Sequence, residues 1–116
     1  MPDSFELLFY RTNTGSVPFR EWLDTVSDPI GFSAVQGRLD RLERGLFGDC
    51  RPVGNGVWEL RVDTGPGYRA YYALAGKHVV LLLCGGKKRS QTADIRTAKA
   101  YWSDYEQRTN VRSRTR

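Results

Sequence analysis

The chain has 116 residues, of which 40% are hydrophobic and 27% charged, a composition typical of one globular domain and unlike that of a disordered or membrane-embedded chain. Its 18 basic and 13 acidic side chains give a net charge of +5. The whole excess lies in residues 87–116, which carry nine basic and three acidic side chains. This asymmetry suggests a polyanionic partner, although a basic tail can also serve only to solvate a chain.

The N-terminus has no basic segment followed by an apolar one, and the longest apolar run, residues 79–84, has six residues. Because a secretion signal or a membrane span needs a longer run, we expect a cytoplasmic protein with no membrane partner. A structural zinc site needs about four Cys or His ligands, whereas the chain has two cysteines and one histidine. We therefore expect two reduced thiols, no metal and no other cofactor.

The first element is predicted to be a strand over residues 5–10, because strand spacing places the apolar residues Phe5, Leu7 and Phe9 on one face. Ser16 can then cap a short helix that has Pro18 in its first turn, where the missing N–H does no harm. Asp28-Pro29 repeats this signal and opens a second helix. Its apolar residues are spaced three and four apart and predict one buried stripe: Phe32, Val35, Leu39, Leu42 and Leu46.

The second half predicts a loop over residues 50–56 and then three strands, over 57–63, 68–74 and 78–84, joined by short turns. Gly85-Gly86 is expected to end the last strand. Ser90 or Thr92 can cap a final helix with an apolar stripe at helical spacing: Ile95, Ala98, Trp102 and Tyr105.

These elements predict an α+β fold of order β-α-α-β-β-β-α. Short links make the last three strands antiparallel neighbours in a twisted, mainly antiparallel sheet. An N-terminal helical hairpin should cover one face, and a C-terminal helix completes the domain. We expect a single domain over residues 1–108 and a basic, flexible tail over 109–116, where no apolar period remains.

Candidate chemistry centres on basic residues of the strands. Glu59 and Arg61 alternate on one strand, Arg69 lies on the next, and Lys87 and Lys88 follow the last. A symmetric four-residue turn would place Arg61 and Arg69 on opposite faces, whereas a one-residue shift would place them on the same face. The sequence leaves both registers open.

A cationic cleft of this kind could bind RNA phosphates and stabilise the charge that develops when a neighbouring 2′-OH attacks phosphorus. The alternative is that the arginines only solvate a sheet face. His78 is expected to be a solvated turn residue. The three tyrosines of the 68–74 strand are expected to pack within the sheet, although they could stack on bases.

Four segments together resemble the RelE/ParE superfamily of bacterial toxins, and most closely its HigB-like branch of addiction-module killer proteins. They are Gly-Val-Trp-Glu-Leu-Arg (56–61), Gly-Pro-Gly-Tyr-Arg-Ala-Tyr-Tyr (65–72), Val-Leu-Leu-Leu-Cys-Gly-Gly-Lys-Lys-Arg-Ser-Gln (80–91) and Asp-Ile-x-x-Ala-x-x-Tyr-Trp (94–102). The resemblance covers the chain to about residue 108 and implies the compact α+β fold of that superfamily.

The resemblance also implies a function. It implies the toxin of a type II toxin–antitoxin pair, neutralised by a cognate antitoxin that is often a helix-turn-helix protein. Members of this kind cut messenger RNA on the ribosome without a metal. Arg61, Arg69 and Lys87 or Lys88 match the family's basic cleft, which favours the shifted register, and Arg89 and Arg96 would extend the RNA contacts.

The sequence departs from RelE at the proton-transfer positions. No tyrosine lies in residues 90–94, and Glu59 stands where RelE has a lysine. The candidates for the general base are therefore Glu59, Lys87 or Lys88, and Asp94. Two other functions remain open on the same fold: a ParE-like inhibitor of DNA gyrase, and a non-toxic relative that keeps only antitoxin binding.

Overall fold

The computed structural model describes the backbone of residues 4–114 and the side chains of residues 4–109. It contains five strands, three α-helices and one 3₁₀ turn in an α+β arrangement. In chain order these are β1 (Glu6–Phe9), α1 (Pro18–Asp24), α2 (Pro29–Glu43), β2 (Cys50–Gly54), β3 (Val57–Val62), β4 (Tyr68–Gly76), β5 (Val79–Lys87), the 3₁₀ turn (Lys88–Ser90) and α3 (Gln91–Arg114).

The five strands form one mixed sheet in the order β1-β5-β4-β3-β2. β1 runs parallel to β5, and every other neighbouring pair is antiparallel. β5 therefore lies inside the sheet, and its residues 80–84 are all buried, as its nearly continuous aliphatic sequence predicts. The predicted helical hairpin, antiparallel meander and C-terminal helix are confirmed.

The sheet has two apolar faces, each covered by helices. On the face that we call the hairpin face, α1 and α2 bury side chains against β3, β4 and β5: Phe19, Val35, Leu39, Leu60, Tyr72 and Leu82. On the other face, the α3 face, α3 packs on the alternate residues of the same strands: Val57, Tyr71, Ala73, Leu81, Leu83 and Ala98. Strand periodicity thus decides which helix each side chain meets.

The cap of α2 is confirmed, because the Asp28 carboxylate accepts a hydrogen bond from the Ile30 N–H at 3.2 Å. The predicted stripe is too long. α2 ends at Glu43, and Leu46 lies beyond it with 54% of its surface exposed. Pro18 begins α1 as expected, but Val17 occupies the capping position in place of Ser16 and makes no side-chain cap.

Residues 50–56 were expected to form a loop, and this expectation is wrong. Residues 50–54 form β2, which pairs with β3 at the edge of the sheet. Pro52 lies opposite Trp58, and the register shifts between Pro52 and Gly54. A strand that contains proline is tolerated at an edge, because the missing N–H can face away from the ladder.

Gly85-Gly86 was expected to end the last strand, but β5 continues to Lys87. The two glycines admit close neighbours on opposite faces of the sheet. A Cβ on Gly85 would collide with the indole of Trp22 on the hairpin face, and a Cβ on Gly86 would collide with the carboxylate of Asp94 on the α3 face. Here glycine marks close packing within a strand.

The end of α3 bears on the predicted tail. The helical backbone continues to Arg114, past the predicted boundary at residue 108. Most side chains of residues 109–116 lie outside the described ones, so the flexibility of this segment stays a prediction. In the part of the chain that the structure describes, no helix is both long and apolar enough to cross a membrane.

Candidate anion-binding site on the α3 face

The β3–β4 register brings the two candidate arginines together. Arg61 lies directly opposite Arg69, and Val62 lies opposite Tyr68, so five residues, 63–67, connect the strands. The register is therefore shifted by one from that of a symmetric four-residue turn. Residues directly opposite each other in an antiparallel pair share a face, and here that face is the α3 face, which Tyr71 also faces.

Arg69 is a buried cation with few partners. Only 4% of its surface is exposed. Its Nη1 donates to the backbone carbonyl of Tyr68 at 3.1 Å and lies 3.5 Å from Oδ1 of Asp63, a residue of the connecting loop with 72% of its side chain exposed. Its Nε is buried and has no hydrogen-bond partner among the described residues. A guanidinium has five N–H donors, so this one retains capacity for an anion.

Arg61 is more open than its partner. Its side chain is 37% exposed, and its Nε lies 3.4 Å from Oδ1 of Asp49 in an ion pair that falls short of hydrogen-bond geometry. The backbone N–H of Arg61 donates to the Asp49 carbonyl at 2.9 Å, which fixes this contact at the edge of the sheet. Arg61 thus lies beside Arg69 but keeps more contact with water.

Lys87 and Lys88 lie on opposite sides of the sheet. The N–H of Lys88 donates to the Gly67 carbonyl at 2.9 Å. A Cβ atom placed on Gly67 would lie 3.3 Å from Cβ of Lys88 and 3.6 Å from Nη1 of Arg69, so both residues border Gly67. Lys88 is therefore a neighbour of Arg69. Lys87 lies opposite Tyr68 and lines a cavity on the hairpin face, so the structure separates Lys87 from the arginine pair.

Glu59 lies on the α3 face, two pairs further along the β3–β4 ladder, and is fully buried. Its carboxylate accepts hydrogen bonds from Arg51 Nε at 2.8 Å, Tyr71 OH at 3.1 Å and Gln91 Nε2 at 2.7 Å. Burial alone would raise the pKa of Glu59, but these hydrogen bonds outweigh it and hold the pKa below its ordinary value. Glu59 thus binds the start of α3 to the sheet, and its oxygens are already engaged.

The remaining candidates surround the start of α3. Ser90, the last residue of the 3₁₀ turn, donates to the carboxylate of Asp94. Asp94 itself packs against Gly86, which lies opposite Arg69 in the β4–β5 ladder. The side chains of Arg89 and Arg96 are exposed on the same segment. Of the base candidates, Lys88 and Asp94 therefore both lie near Arg69.

The aromatic residues have packing roles, as expected. Tyr68, Tyr71 and Tyr72 are all at most 3% exposed, and burial raises the pKa of the Tyr71 and Tyr72 hydroxyls. Trp102 packs against the backbone at Gly56 and joins the core of the α3 face. His78 is exposed in the turn at the far end of the β4–β5 hairpin, with its ring 5.0 Å from that of Phe5.

Sequence reasoning missed the partners of the charged residues, among them Arg51, which pairs with Glu59. Asp49 and Asp63 pair with Arg61 and Arg69, and Gln91 donates to Glu59. Asp63 meets Arg69 through the β3–β4 register that the sequence left open, whereas Asp49 meets Arg61 beside the β2–β3 pairing, which the sequence did not predict. Gln91 is one residue past Ser90, one of the two predicted caps. Within residues 4–109, no group of three Cys, His, Asp or Glu side chains is placed to hold a metal ion.

Comparison with known proteins gives two matches. Residues 21–103 match the family model described as "Phage derived protein Gp49-like (DUF891)". An uncharacterized protein of Haemophilus influenzae (strain ATCC 51907 / DSM 11121 / KW20 / Rd) is 39% identical over 84 residues, which cover 72% of this chain and 85% of that relative. The family match includes the arginine pair, Lys88 and the start of α3.

Proposed function

The chain belongs to the phage-derived Gp49-like family, and on that premise we propose that it is the toxin of a type II toxin–antitoxin pair that cuts messenger RNA on the ribosome. The proposal joins the RelE/ParE-like motifs of the sequence to the geometry of the α3 face. Its partners would be a cognate antitoxin, the ribosome and mRNA, and its reaction would need no metal.

The observation that carries the proposal is the pairing of Arg61 with Arg69. Two guanidinium groups lie on directly opposed residues, Lys88 is a neighbour of Arg69, and Arg69 is buried with its Nε unpaired among the described residues. A buried, incompletely compensated cation is costly in an empty site. A phosphate would supply the missing negative charge and accept the remaining hydrogen bonds.

This arrangement suits the charge changes of RNA cleavage. The 2′-oxygen forms a bond to the adjacent phosphorus, the bond from phosphorus to the 5′-oxygen breaks, and the products are a 2′,3′-cyclic phosphate and a 5′-hydroxyl. The 2′-OH proton goes to a base and the leaving oxygen takes up a proton. Negative charge grows on the phosphoryl oxygens between these steps, and fixed guanidinium donors stabilise it without reorganising.

The assignment of the base follows from the same geometry. Glu59 already accepts three hydrogen bonds, and Lys87 faces the other side of the sheet. The proposal therefore assigns proton transfer to Lys88 or Asp94 and phosphate stabilisation to Arg61 and Arg69. Arg89 and Arg96 would contact the RNA backbone on either side.

Induced expression tests the proposal. Wild type should arrest growth and produce new mRNA 5′ ends within codons, whereas Arg69→Ala should do neither. Lys77→Ala, which removes an exposed cation at the far end of the hairpin, is the matched control and should behave as wild type. Arrest with intact messages would exclude the nuclease, and DNA breaks in their place would favour a gyrase inhibitor.

A further inference from the structure

A second polar cavity lies across the sheet from the arginine pair. It has a volume of about 220 Å³ and opens on the hairpin face, between the α1–α2 link and the 63–67 loop. Its walls combine two aromatic rings, an ammonium group, a carboxylate and a hydroxyl, from Trp22, Tyr68, Lys87, Asp28 and Ser27. No step of the proposed cleavage uses any of these side chains.

The aromatic wall is fixed in place. The indole of Trp22 packs directly on the backbone at Gly85, and its ring centroid lies 6.4 Å from that of Tyr68. Tyr68 is 3% exposed, whereas Trp22 is only partly buried. A rigid, partly open indole beside a second ring is the kind of surface on which a nucleobase stacks.

The polar wall offers both a donor and an acceptor. Lys87 is exposed and supplies an ammonium group. Oδ1 of Asp28 accepts a hydrogen bond from the Ile30 N–H. Oδ2 of Asp28 points toward the 63–67 loop, where a Cβ atom placed on Gly65 would lie 3.5 Å from it. A nucleobase edge presents acceptors and donors together, and guanine pairs O6 and N7 acceptors with an amino donor.

The cavity and the arginine pair are connected through one loop and two strands. Pro66 lines the cavity, while the next residue, Gly67, packs against Lys88 and Arg69. Neighbouring residues of a strand point to opposite faces, so Arg69 faces the phosphate site while Tyr68 lines the cavity. A strand of RNA that passes around this loop would meet both surfaces.

We propose that this cavity is a nucleobase subsite of the RNA strand whose phosphate lies against Arg61, Arg69 and Lys88. The inference rests on the proposed RNA substrate. It gives Lys87 a role in holding a base beside Trp22, and it predicts that the chain reads part of its substrate from the face opposite the scissile phosphate.

The test compares two short single-stranded RNAs that contain guanine, one intact and one abasic at the central nucleotide. Both carry 2′-O-methyl groups, which remove the attacking hydroxyl and prevent cleavage. The wild-type protein should bind the intact strand about 5- to 100-fold more tightly, the range expected from one base stacked on an aromatic ring. In ¹H–¹⁵N spectra the intact strand should shift the Trp22 indole signal, identified with Trp22→Phe, and the abasic strand should not.

Lys87→Ala should reduce the preference for the intact strand, and Lys77→Ala, which removes an equal charge, should leave it unchanged. Trp22→Ala should abolish the preference for the intact strand. If that variant fails to fold, the shift of the Trp22 indole signal in the wild-type spectra tests the same contact. Equal affinities for the two strands, or a Trp22 signal unmoved by the saturating intact strand, would overturn the inference. Base binding without mRNA cleavage in cells would instead contradict the nuclease proposal and leave the subsite standing.

Discussion

Two neighbouring rows of cross-strand residues on the α3 face each carry a buried charge, but the two charges differ in how many hydrogen-bond partners they have. In one row Glu59 is fully buried and accepts three hydrogen bonds, two of them from the residues directly opposite it, Arg51 and Tyr71. In the next row Arg69 is almost as buried but has one backbone acceptor and one carboxylate at 3.5 Å. The two charges lie on adjacent strands, Glu59 on β3 and Arg69 on β4, and on the same face of the sheet, so the face on which they lie does not explain the difference.

The difference separates a structural charge from a binding charge. For a buried carboxylate surrounded by donors, hydrogen bonds within the fold offset the free-energy cost of losing water. Removing that carboxylate would leave its donors unpaired. For a buried guanidinium with unused donors, the fold offsets less of the free-energy cost of losing water, and a bound ligand would have to supply the remaining hydrogen bonds. We infer that Glu59 stabilises the sheet and the start of α3, whereas Arg69 is retained for a ligand.

The largest effect should come from Arg69→Met, which keeps most of the side-chain volume and removes the charge. RNA cleavage should fall about 100- to 1,000-fold, the cost of losing one preorganised donor. The free energy of unfolding should stay the same or rise, because a poorly compensated buried charge is gone. Cleavage kinetics and urea unfolding of the same preparation measure both. A large loss of stability would mean that Arg69 has the same structural role as Glu59.

Glu59→Ala should show the reverse pattern. It leaves Tyr71 and Gln91 without their acceptor beneath α3, and we expect the free energy of unfolding to fall by about 3 kcal/mol. Urea unfolding measures this, with Glu106→Ala as the control because Glu106 is exposed on α3. Folded protein should keep cleavage within about threefold of wild type, since proton transfer is assigned to other residues. A large catalytic loss with unchanged stability would make Glu59 the base.

Arg61→Ala should have an intermediate effect, because Arg61 is half-exposed and is partly neutralised by Asp49. We expect RNA affinity to fall about tenfold, within the range of one charge-assisted contact. The loss should shrink at high salt, because exposed charges are screened. Filter binding across a salt series would measure it, and a loss equal to that of Arg69→Met at every salt concentration would show that the two arginines are equivalent.

The smallest effect is on the pH dependence of stability. The pKa of Glu59 is held below its ordinary value of 4.5, so its stabilising contribution is complete above that value and is lost as the pH falls through the folded-state pKa. The stability advantage of wild type over Glu59→Gln should therefore be larger at pH 7 than at pH 3. Thermal unfolding at the two pH values measures the difference. An advantage that does not change with pH would mean that folding leaves the pKa of Glu59 unshifted, and an advantage that is larger at pH 3 would mean that folding raises it.

The helices and four of the five strands could be predicted from the sequence, because the apolar periods are strong and most helix starts carry a capping or proline signal. Asp28-Pro29 opens α2 as expected, and residues 57–62 alternate as β3 does. β2 was missed because an edge strand with Pro52 and Gly54 has the composition of a loop. Leu46 was placed in α2 because its spacing continues the stripe after the helix itself has ended.

The candidate site was harder to predict, because it depends on register. Arg61 and Arg69 share a face only because the connecting loop has five residues. The position of Lys87 depends on a bulge in β5: Tyr71 lies opposite Cys84 but Tyr72 lies opposite Leu82, so Leu83 is an extra residue. Without it Lys87 would face the arginines. A uniformly aliphatic strand gives no sign of where such an extra residue falls.

The parallel pairing of β1 with β5 has a consequence for how the chain acquires its shape. Glu6, near the start, lies opposite Val79, so the first strand made has no neighbour in the sheet until the last strand has been synthesised. Closing such a distant contact is entropically costly and slows folding. Assembly of the sheet, and with it the arginine site, is therefore a late event in the life of the nascent chain.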